Sequence, residues 1–112
     1  MSINDFNRDN EDSAEKRATE RARLILDVHF DGADSTGVAN TRDMSLGGVY
    51  MNTRAILPQG AILQLRIPFG GAVEAMVSAE VMYSNPGVGV GLRFLALDEH
   101  ARQVLESELA NA

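Results

Sequence analysis

The sequence predicts a mainly β fold, a small antiparallel β-barrel with one C-terminal α-helix. Apolar and polar residues alternate in several short stretches, as in strands that bury one face. Segments rich in Gly, Pro, Asn and Asp separate these stretches and are typical of turns. A helical spacing of apolar residues occurs only near the C-terminus. Regularly spaced short strands of this kind favour a barrel over an open sheet.

About six strands are expected from this alternation. They cover residues 23–31, 38–42, 49–52, about 61–67, 73–83 and 88–94. DGADSTG is expected to be a loop or hairpin after the first strand, and SNPG a turn before the last. In the long strand 73–83, the alternation predicts that Tyr83 shares the buried face with Val81.

The chain is predicted to end in an amphipathic helix. Asp98 is the expected N-cap, because a short carboxylate can accept from the first unpaired backbone N–H groups. The helical spacing that follows is carried by Ala101, Val104, Leu105, Glu108 and Leu109.

The glycines of GVGVG require an explanation of their own. Phosphate-binding glycine loops lie between a strand and a helix, whereas Gly87, Gly89 and Gly91 alternate along a strand. We therefore expect a place where another group approaches the backbone closely, or a bend, and no nucleotide loop.

Length and composition predict one domain with a tail. The 112 residues suffice for a single core, and the acidic, polar residues 1–15 are expected to be mobile. The folded domain is expected over residues 16–110. The polar N-terminus resembles no signal peptide, and no apolar stretch is long enough for a membrane span, so we expect a cytoplasmic protein without membrane insertion.

Charge and residue types exclude several functions. A formal net charge of −6 disfavours nucleic-acid binding, which depends on many cationic contacts to phosphates. The absence of cysteine excludes thiolate metal sites and cysteine nucleophiles. His29 and His100 have no carboxylate or second histidine at ligand spacing. We therefore expect neither an enzyme nor a bound metal or other cofactor.

Four of the ten cationic side chains nevertheless cluster in EKRATERARL, residues 15–24. Arg17 and Arg21 are spaced i, i+4, so both guanidinium groups could converge on one anion. The arginine fork matches both phosphate oxygens and the O6/N7 edge of guanine. A solvated helical turn with weak surface ion pairs is the alternative explanation.

The second motif is DMSLGG, in which Asp43, Ser45 and Gly48 form D-x-S-x-x-G. A carboxylate can accept from guanine N1–H and N2, a hydroxyl can donate or accept, and glycine allows close approach. The alternative is a turn in which Asp and Ser bond their own backbone. By chance, this motif at this distance after RxxxR is expected only about once in a hundred such chains.

Together these residues resemble the PilZ domain family, bacterial receptors for cyclic di-GMP. The similarity covers nearly all of residues 16–109 and rests on KRATER, TRDMSLGGVYM and GVGVGLRFLAL. It implies a six-stranded barrel preceded by a flexible loop that carries RxxxR.

The resemblance also implies roles for individual residues. Arg17 and Arg21 would bind phosphates and guanine edges, and Lys16 stands where the family often has arginine. Asp43 and Ser45 would bind a guanine and a neighbouring phosphate, with Gly48 keeping the approach clear.

The leading hypothesis is a cyclic di-GMP receptor. Ligand binding would order the RxxxR loop over the barrel and change the surface offered to a partner protein that the sequence does not identify. The alternative is a protein–protein adaptor that keeps the barrel and senses no nucleotide. Neither the regulated process nor the number of nucleotides per protomer follows from the sequence.

Overall fold

The computed structural model describes residues 24–111 and contains six strands and one helix. The strands are β1 (Asp27–Gly32), β2 (Ser35–Met44), β3 (Gly48–Asn52), β4 (Ile62–Gly70), β5 (Val73–Asn85) and β6 (Gly89–Phe94), and the helix is α1 (Glu99–Ala110). The predicted tail and the RxxxR segment lie outside the described residues. Within the described part, the predicted mainly β fold with one C-terminal helix is confirmed.

The strands form a closed antiparallel barrel in the order β1-β2-β3-β6-β5-β4. Closure leaves no strand edge unpaired, which is how small β domains avoid edge-to-edge association. The interior is filled by the apolar residues of the period-two pattern. These include Val28, Phe30, Leu63, Leu65, Ile67, Val77, Val81, Val90 and Leu92.

The first hairpin is tighter than the sequence suggested. β2 begins at Ser35 instead of Val38, and only Ala33 and Asp34 connect it to β1. Both have positive φ, 53° and 61°, as the two central residues of a type I′ hairpin turn do. The prediction of a loop or hairpin at DGADSTG is therefore confirmed as a hairpin, and only the start of β2 was placed too late, because this turn has no glycine at either central position to reveal its length.

The start of the first strand also differs from the prediction. Residues 24–26 are not strand, and β1 begins at Asp27. Leu24 and Leu26 are instead bound to the side chain of Thr41 in β2. The predicted alternation holds within β1, but before it hydrogen bonds to the Thr41 side chain replace strand pairing.

A β-bulge in β5 reverses the predicted orientation of Tyr83. The pairing with β6 shifts between Val81 and Tyr83, so Met82 is an additional residue in β5. Such an insertion turns the following side chains to the opposite face. Val81 is in the core as expected, but Tyr83 is 51% exposed on the outside of the barrel.

The C-terminal helix matches the prediction closely. The carboxylate of Asp98 accepts from the backbone N–H of Ala101 at 2.7 Å, which is the expected N-cap. Ala101 and Leu105 are buried, and α1 packs against β5. Within residues 24–111, no helix has the length and apolar character that crossing a membrane requires.

Candidate functional site

The D-x-S-x-x-G motif forms the connection between β2 and β3. Asp43 lies near the end of β2, and Gly48 is the first residue of β3. The backbone N–H of Ser45 donates to the Gly48 carbonyl at 2.9 Å, and its Oγ accepts from the N–H of Gly47 at 3.1 Å. Ser45 is therefore a buried turn residue, but its hydroxyl proton can still be donated.

Gly48 is required by the packing of the barrel itself. A Cβ at this position would lie 2.1 Å from the carbonyl oxygen of Leu92 in β6. No side chain fits there, because both groups belong to paired backbone. The glycine of the motif is thus explained by the β3–β6 contact alone.

A second bulge, in β2, brings Arg42 and Asp43 to the outer surface. The pairing with β3 shifts between Thr41 and Asp43, so that Asp43 opposes Tyr50. Nε of Arg42 lies 3.4 Å from Oδ2 of Asp43. The side chains of Arg42 and Asp43 are 61% and 26% exposed, respectively.

Tyr50 and Tyr83 lie beside this pair and form what we call the tyrosine cluster with Arg42. Cζ of Arg42 lies 4.1 Å from the ring centroid of Tyr50, within the range of cation–π contacts. The two tyrosine ring centroids are 6.2 Å apart. Tyr50 is 4% exposed, whereas half of Tyr83 faces solvent. Nδ2 of Asn85 donates to the Tyr50 hydroxyl at 3.3 Å.

The tyrosine cluster also explains two of the alternating glycines. A Cβ on Gly91 would lie 2.3 Å from the Tyr83 ring. A Cβ on Gly89 would lie 2.4 Å from the Met51 carbonyl oxygen and 2.6 Å from the Tyr50 hydroxyl. The expected close approach therefore exists, and the approaching groups belong to this chain. Gly87, by contrast, precedes β6 and has a φ of 78°.

A groove runs along the outer surface of β2 and β3 next to this cluster. It has a volume of about 310 Å³ and is lined by Ile25, Asn40, Thr41, Arg42 and Asn52. Volumes of this order are at the lower end of those found for small-molecule sites.

Thr41 attaches the N-terminal end of the described chain to this groove. Its side chain is 1% exposed, and its Oγ1 accepts from the N–H of Leu26 at 2.9 Å and donates to the Leu24 carbonyl. Its backbone N–H donates to the Leu26 carbonyl at 2.9 Å. Thr41 lies two residues before Asp43 on β2, so residues 24–26 are held close to Asp43.

The predicted site residues fall into two groups. Asp43, Ser45 and Gly48 are brought together at the β2–β3 connection, and Lys16, Arg17 and Arg21 lie outside the described residues. The same surface includes Arg42, Tyr50 and Tyr83, which neither sequence motif contains. Arg42 and Tyr50 flank the recognised motif, so their proximity in sequence was a usable signal.

Across residues 24–111, no three His, Cys, Asp or Glu side chains are grouped so that they could hold a metal ion. The chemistry available on this surface is that of arginine, carboxylate, amide and aromatic groups.

Solved structures with the same fold include three bacterial proteins. The Bacillus subtilis inhibitor of motility, MotI/DgrA, is 17% identical to this chain, with a TM-score of 0.71. The alignment covers 85% of this chain and 50% of MotI/DgrA. The PilZ domain of CeSA from a cellulose-synthesizing bacterium is 16% identical, with a TM-score of 0.67, and the alignment covers 83% of this chain and 97% of that domain. Borreliella burgdorferi PlzA in complex with c-di-GMP is 14% identical, with a TM-score of 0.58, and the alignment covers 93% of this chain and 45% of PlzA.

These likenesses concern the fold, and the chain spans about half the length of MotI/DgrA and of PlzA. No curated protein sequence matches the chain significantly. The PilZ domain model matches residues 15–111, which is most of the sequence. The match includes both RxxxR and D-x-S-x-x-G. On this evidence the chain belongs to the PilZ domain family.

Proposed function

We propose that the protein is a cyclic di-GMP receptor. Ligand binding orders the segment with Arg17 and Arg21 over the outer surface near Asp43 and changes the surface offered to a partner protein. The observation that carries the proposal is the Thr41 anchor, because it holds the chain that follows RxxxR beside D-x-S-x-x-G. Family membership and the c-di-GMP complex of PlzA support the choice of ligand.

The length of the chain is compatible with a shared site. Three residue steps separate Arg21 from Leu24, and such a segment reaches about 10 Å when extended. Leu24 is bound to Thr41, two residues before Asp43. Arg21 can therefore reach a ligand that Asp43 also contacts.

Charge and energetics are compatible with binding of a small dianion. Charge-assisted hydrogen bonds contribute about 1.5–3 kcal/mol each, so three or four can support micromolar affinity, about 8 kcal/mol. Ordering of the RxxxR segment offsets part of that gain. The net charge of −6 repels long nucleic acids more strongly than a single dinucleotide.

Calorimetric titration of the full chain with cyclic di-GMP tests the proposal. We expect micromolar binding, weakened about 10- to 100-fold by Arg21→Ala because charge-assisted bonds to the ligand are lost. Arg93→Ala is the matched control. Arg93 lies on β6, and its Nη2 is 2.8 Å from Oε1 of Glu80 on the neighbouring strand β5. Absence of heat with the wild-type chain would refute the proposal, as would unchanged binding by Arg21→Ala.

Thr41→Val is expected to weaken binding without unfolding the barrel. Valine keeps the shape of the side chain but removes the two Oγ1 bonds to Leu24 and Leu26, while the backbone bond from Thr41 to the Leu26 carbonyl remains. We expect about 1–3 kcal/mol lower unfolding free energy. Because a smaller fraction of molecules has residues 24–26 in the binding arrangement, we also expect about three- to tenfold weaker cyclic di-GMP binding.

Thr36→Val is the control for that experiment, because Thr36 lies exposed at the opposite end of β2. Thermal unfolding and calorimetry should leave this variant close to the wild type. If Thr41→Val lowers stability but binds cyclic di-GMP with unchanged affinity, the anchor contributes to folding alone.

A second candidate function is a nucleotide-independent adaptor. Ser45 has a structural role in its turn, and Gly48 has one in the β3–β6 contact, so both would be retained in a barrel that binds no nucleotide. MotI/DgrA, a neighbour in fold, is named as an inhibitor of motility. The adaptor would be favoured if added cyclic di-GMP does not change partner binding and calorimetric titration with cyclic di-GMP gives no heat.

A further inference from the structure

Arg42 is a cation on the candidate site that no motif explains. Its guanidinium is held from two sides, by the Tyr50 ring at 4.1 Å and by Asp43 at 3.4 Å from Nε. Four of its five N–H donors belong to Nη1 and Nη2. Within residues 24–111, neither of these nitrogens has a side-chain acceptor. The side chain is thus positioned and has donors left for a ligand.

The groove beside Arg42 supplies the space for such a ligand. Asn40 and Asn52 are paired across β2 and β3, and both line the groove together with Arg42. Nδ2 of Asn40 donates to Oδ1 of Asp27 at 2.6 Å, which orients its amide group. The walls therefore present polar groups next to the guanidinium, as sites that orient a ligand do.

Because Arg42 is already held in place, it loses less side-chain entropy when it binds a ligand. A free arginine loses rotamer freedom when it binds, and a side chain already held on a ring loses less of it. The planar fork can then donate two parallel hydrogen bonds to a pair of acceptors, such as two phosphate oxygens or the O6 and N7 atoms of guanine. A lysine in its place would supply charge but no fork.

We propose that Arg42 is a ligand-binding residue that donates a two-pronged hydrogen bond to cyclic di-GMP in the groove of Asn40 and Asn52. This inference rests on the proposed function and adds a barrel residue outside both motifs to its binding site. It also assigns the tyrosine cluster a role, because Tyr50 holds the guanidinium in place from behind.

The test is calorimetric titration of cyclic di-GMP into the wild-type chain and three variants. Arg42→Ala and Arg42→Lys are each expected to weaken binding about tenfold or more, because both remove the fork. Arg66→Ala is the matched control, since Arg66 lies on β4, is 45% exposed and pairs with Glu74 at 3.7 Å. Thermal unfolding should confirm that all variants retain the fold.

Tyrosine emission gives a second measurement, since Tyr50 and Tyr83 are the only two tyrosines and tryptophan is absent. We expect saturating cyclic di-GMP to change the emission of the wild type, and to change it less in Arg42→Ala. Wild-type affinity of Arg42→Ala would overturn the inference, and wild-type affinity of Arg42→Lys would overturn the role of the fork. If the wild-type chain itself fails to bind, the proposed function fails and the inference fails with it.

Discussion

A Gly48→Ala variant is expected to lose most of the stability of the barrel. The added methyl group would lie 2.1 Å from the Leu92 carbonyl oxygen, so β3 and β6 would have to separate. That pairing closes the barrel, and it includes Gly48 opposite Arg93. A small domain has about 5–15 kcal/mol of unfolding free energy, and a backbone collision of this kind costs about 4 kcal/mol or more. Thermal unfolding followed by circular dichroism measures the effect.

Gly47→Ala is the control, because the two glycines are adjacent in the same turn. Among residues 24–111, a Cβ at Gly47 would meet only Ser45 Oγ, at the ordinary distance of 3.7 Å. We expect its unfolding midpoint to remain within a few degrees of the wild type, in line with substitutions that disturb no packing. A cooperative transition at the wild-type temperature in Gly48→Ala would contradict the steric explanation.

This pair of variants also affects how binding data are interpreted. Gly48 belongs to the motif that the resemblance assigns to the ligand, yet the barrel requires it without one. Loss of cyclic di-GMP binding in Gly48→Ala would therefore say nothing about ligand contact. Evidence for the site must come from side chains that are at least partly exposed, such as those of Asp43 and Arg42.

The fold could be predicted from the sequence because the barrel depends on a periodicity that is visible in it. Alternating apolar residues identify the inner face of each strand, and the Asp98 cap marks the start of the helix. The Ala33–Asp34 turn could not be predicted in the same way. Positive φ at both residues is imposed by the pairing of β1 with β2 and leaves no glycine signature at those positions.

The two bulges account for most of what was missed. A period-two pattern assigns faces correctly only while the pairing register is continuous, and one inserted residue reverses the assignment. In β5 this error placed Tyr83 inside the barrel, and in β2 the bulge turns Arg42 and Asp43 outward together. The tyrosine cluster combines residues from β2, β3 and β5. Because these strands are not all neighbours in sequence, no local pattern predicts the cluster.

Asp43→Ala is expected to cause the largest loss of cyclic di-GMP binding among the residues of the barrel. Its carboxylate is only 26% exposed and opposes Tyr50 at the centre of the candidate site. If it accepts from guanine N1–H and N2, removing it costs about 3 kcal/mol, which is about 100-fold in affinity. Calorimetric titration measures that loss directly.

Asp43→Asn is the matched substitution, because asparagine keeps one side-chain acceptor of the same shape. We expect Asp43→Asn to bind about tenfold more weakly than the wild type, and clearly better than Asp43→Ala. A direct contact and a mere change of net charge can be distinguished in this series. Removing one carboxylate from a chain of net charge −6 should slightly favour a dianion, so charge alone predicts tighter binding by Asp43→Ala.

Asp31→Ala provides the charge control, since Asp31 is exposed on β1 and pairs with Thr36 and Gln64. It changes the net charge by the same amount as Asp43→Ala, and we expect unchanged or slightly tighter binding. Weaker binding in Asp43→Ala together with unchanged binding in Asp31→Ala would therefore show that Asp43 acts locally, by contact with the ligand or by positioning Arg42, and not through the net charge of the chain. Equal effects in the two variants would remove Asp43 from the site and leave its bulge as a feature of the barrel alone.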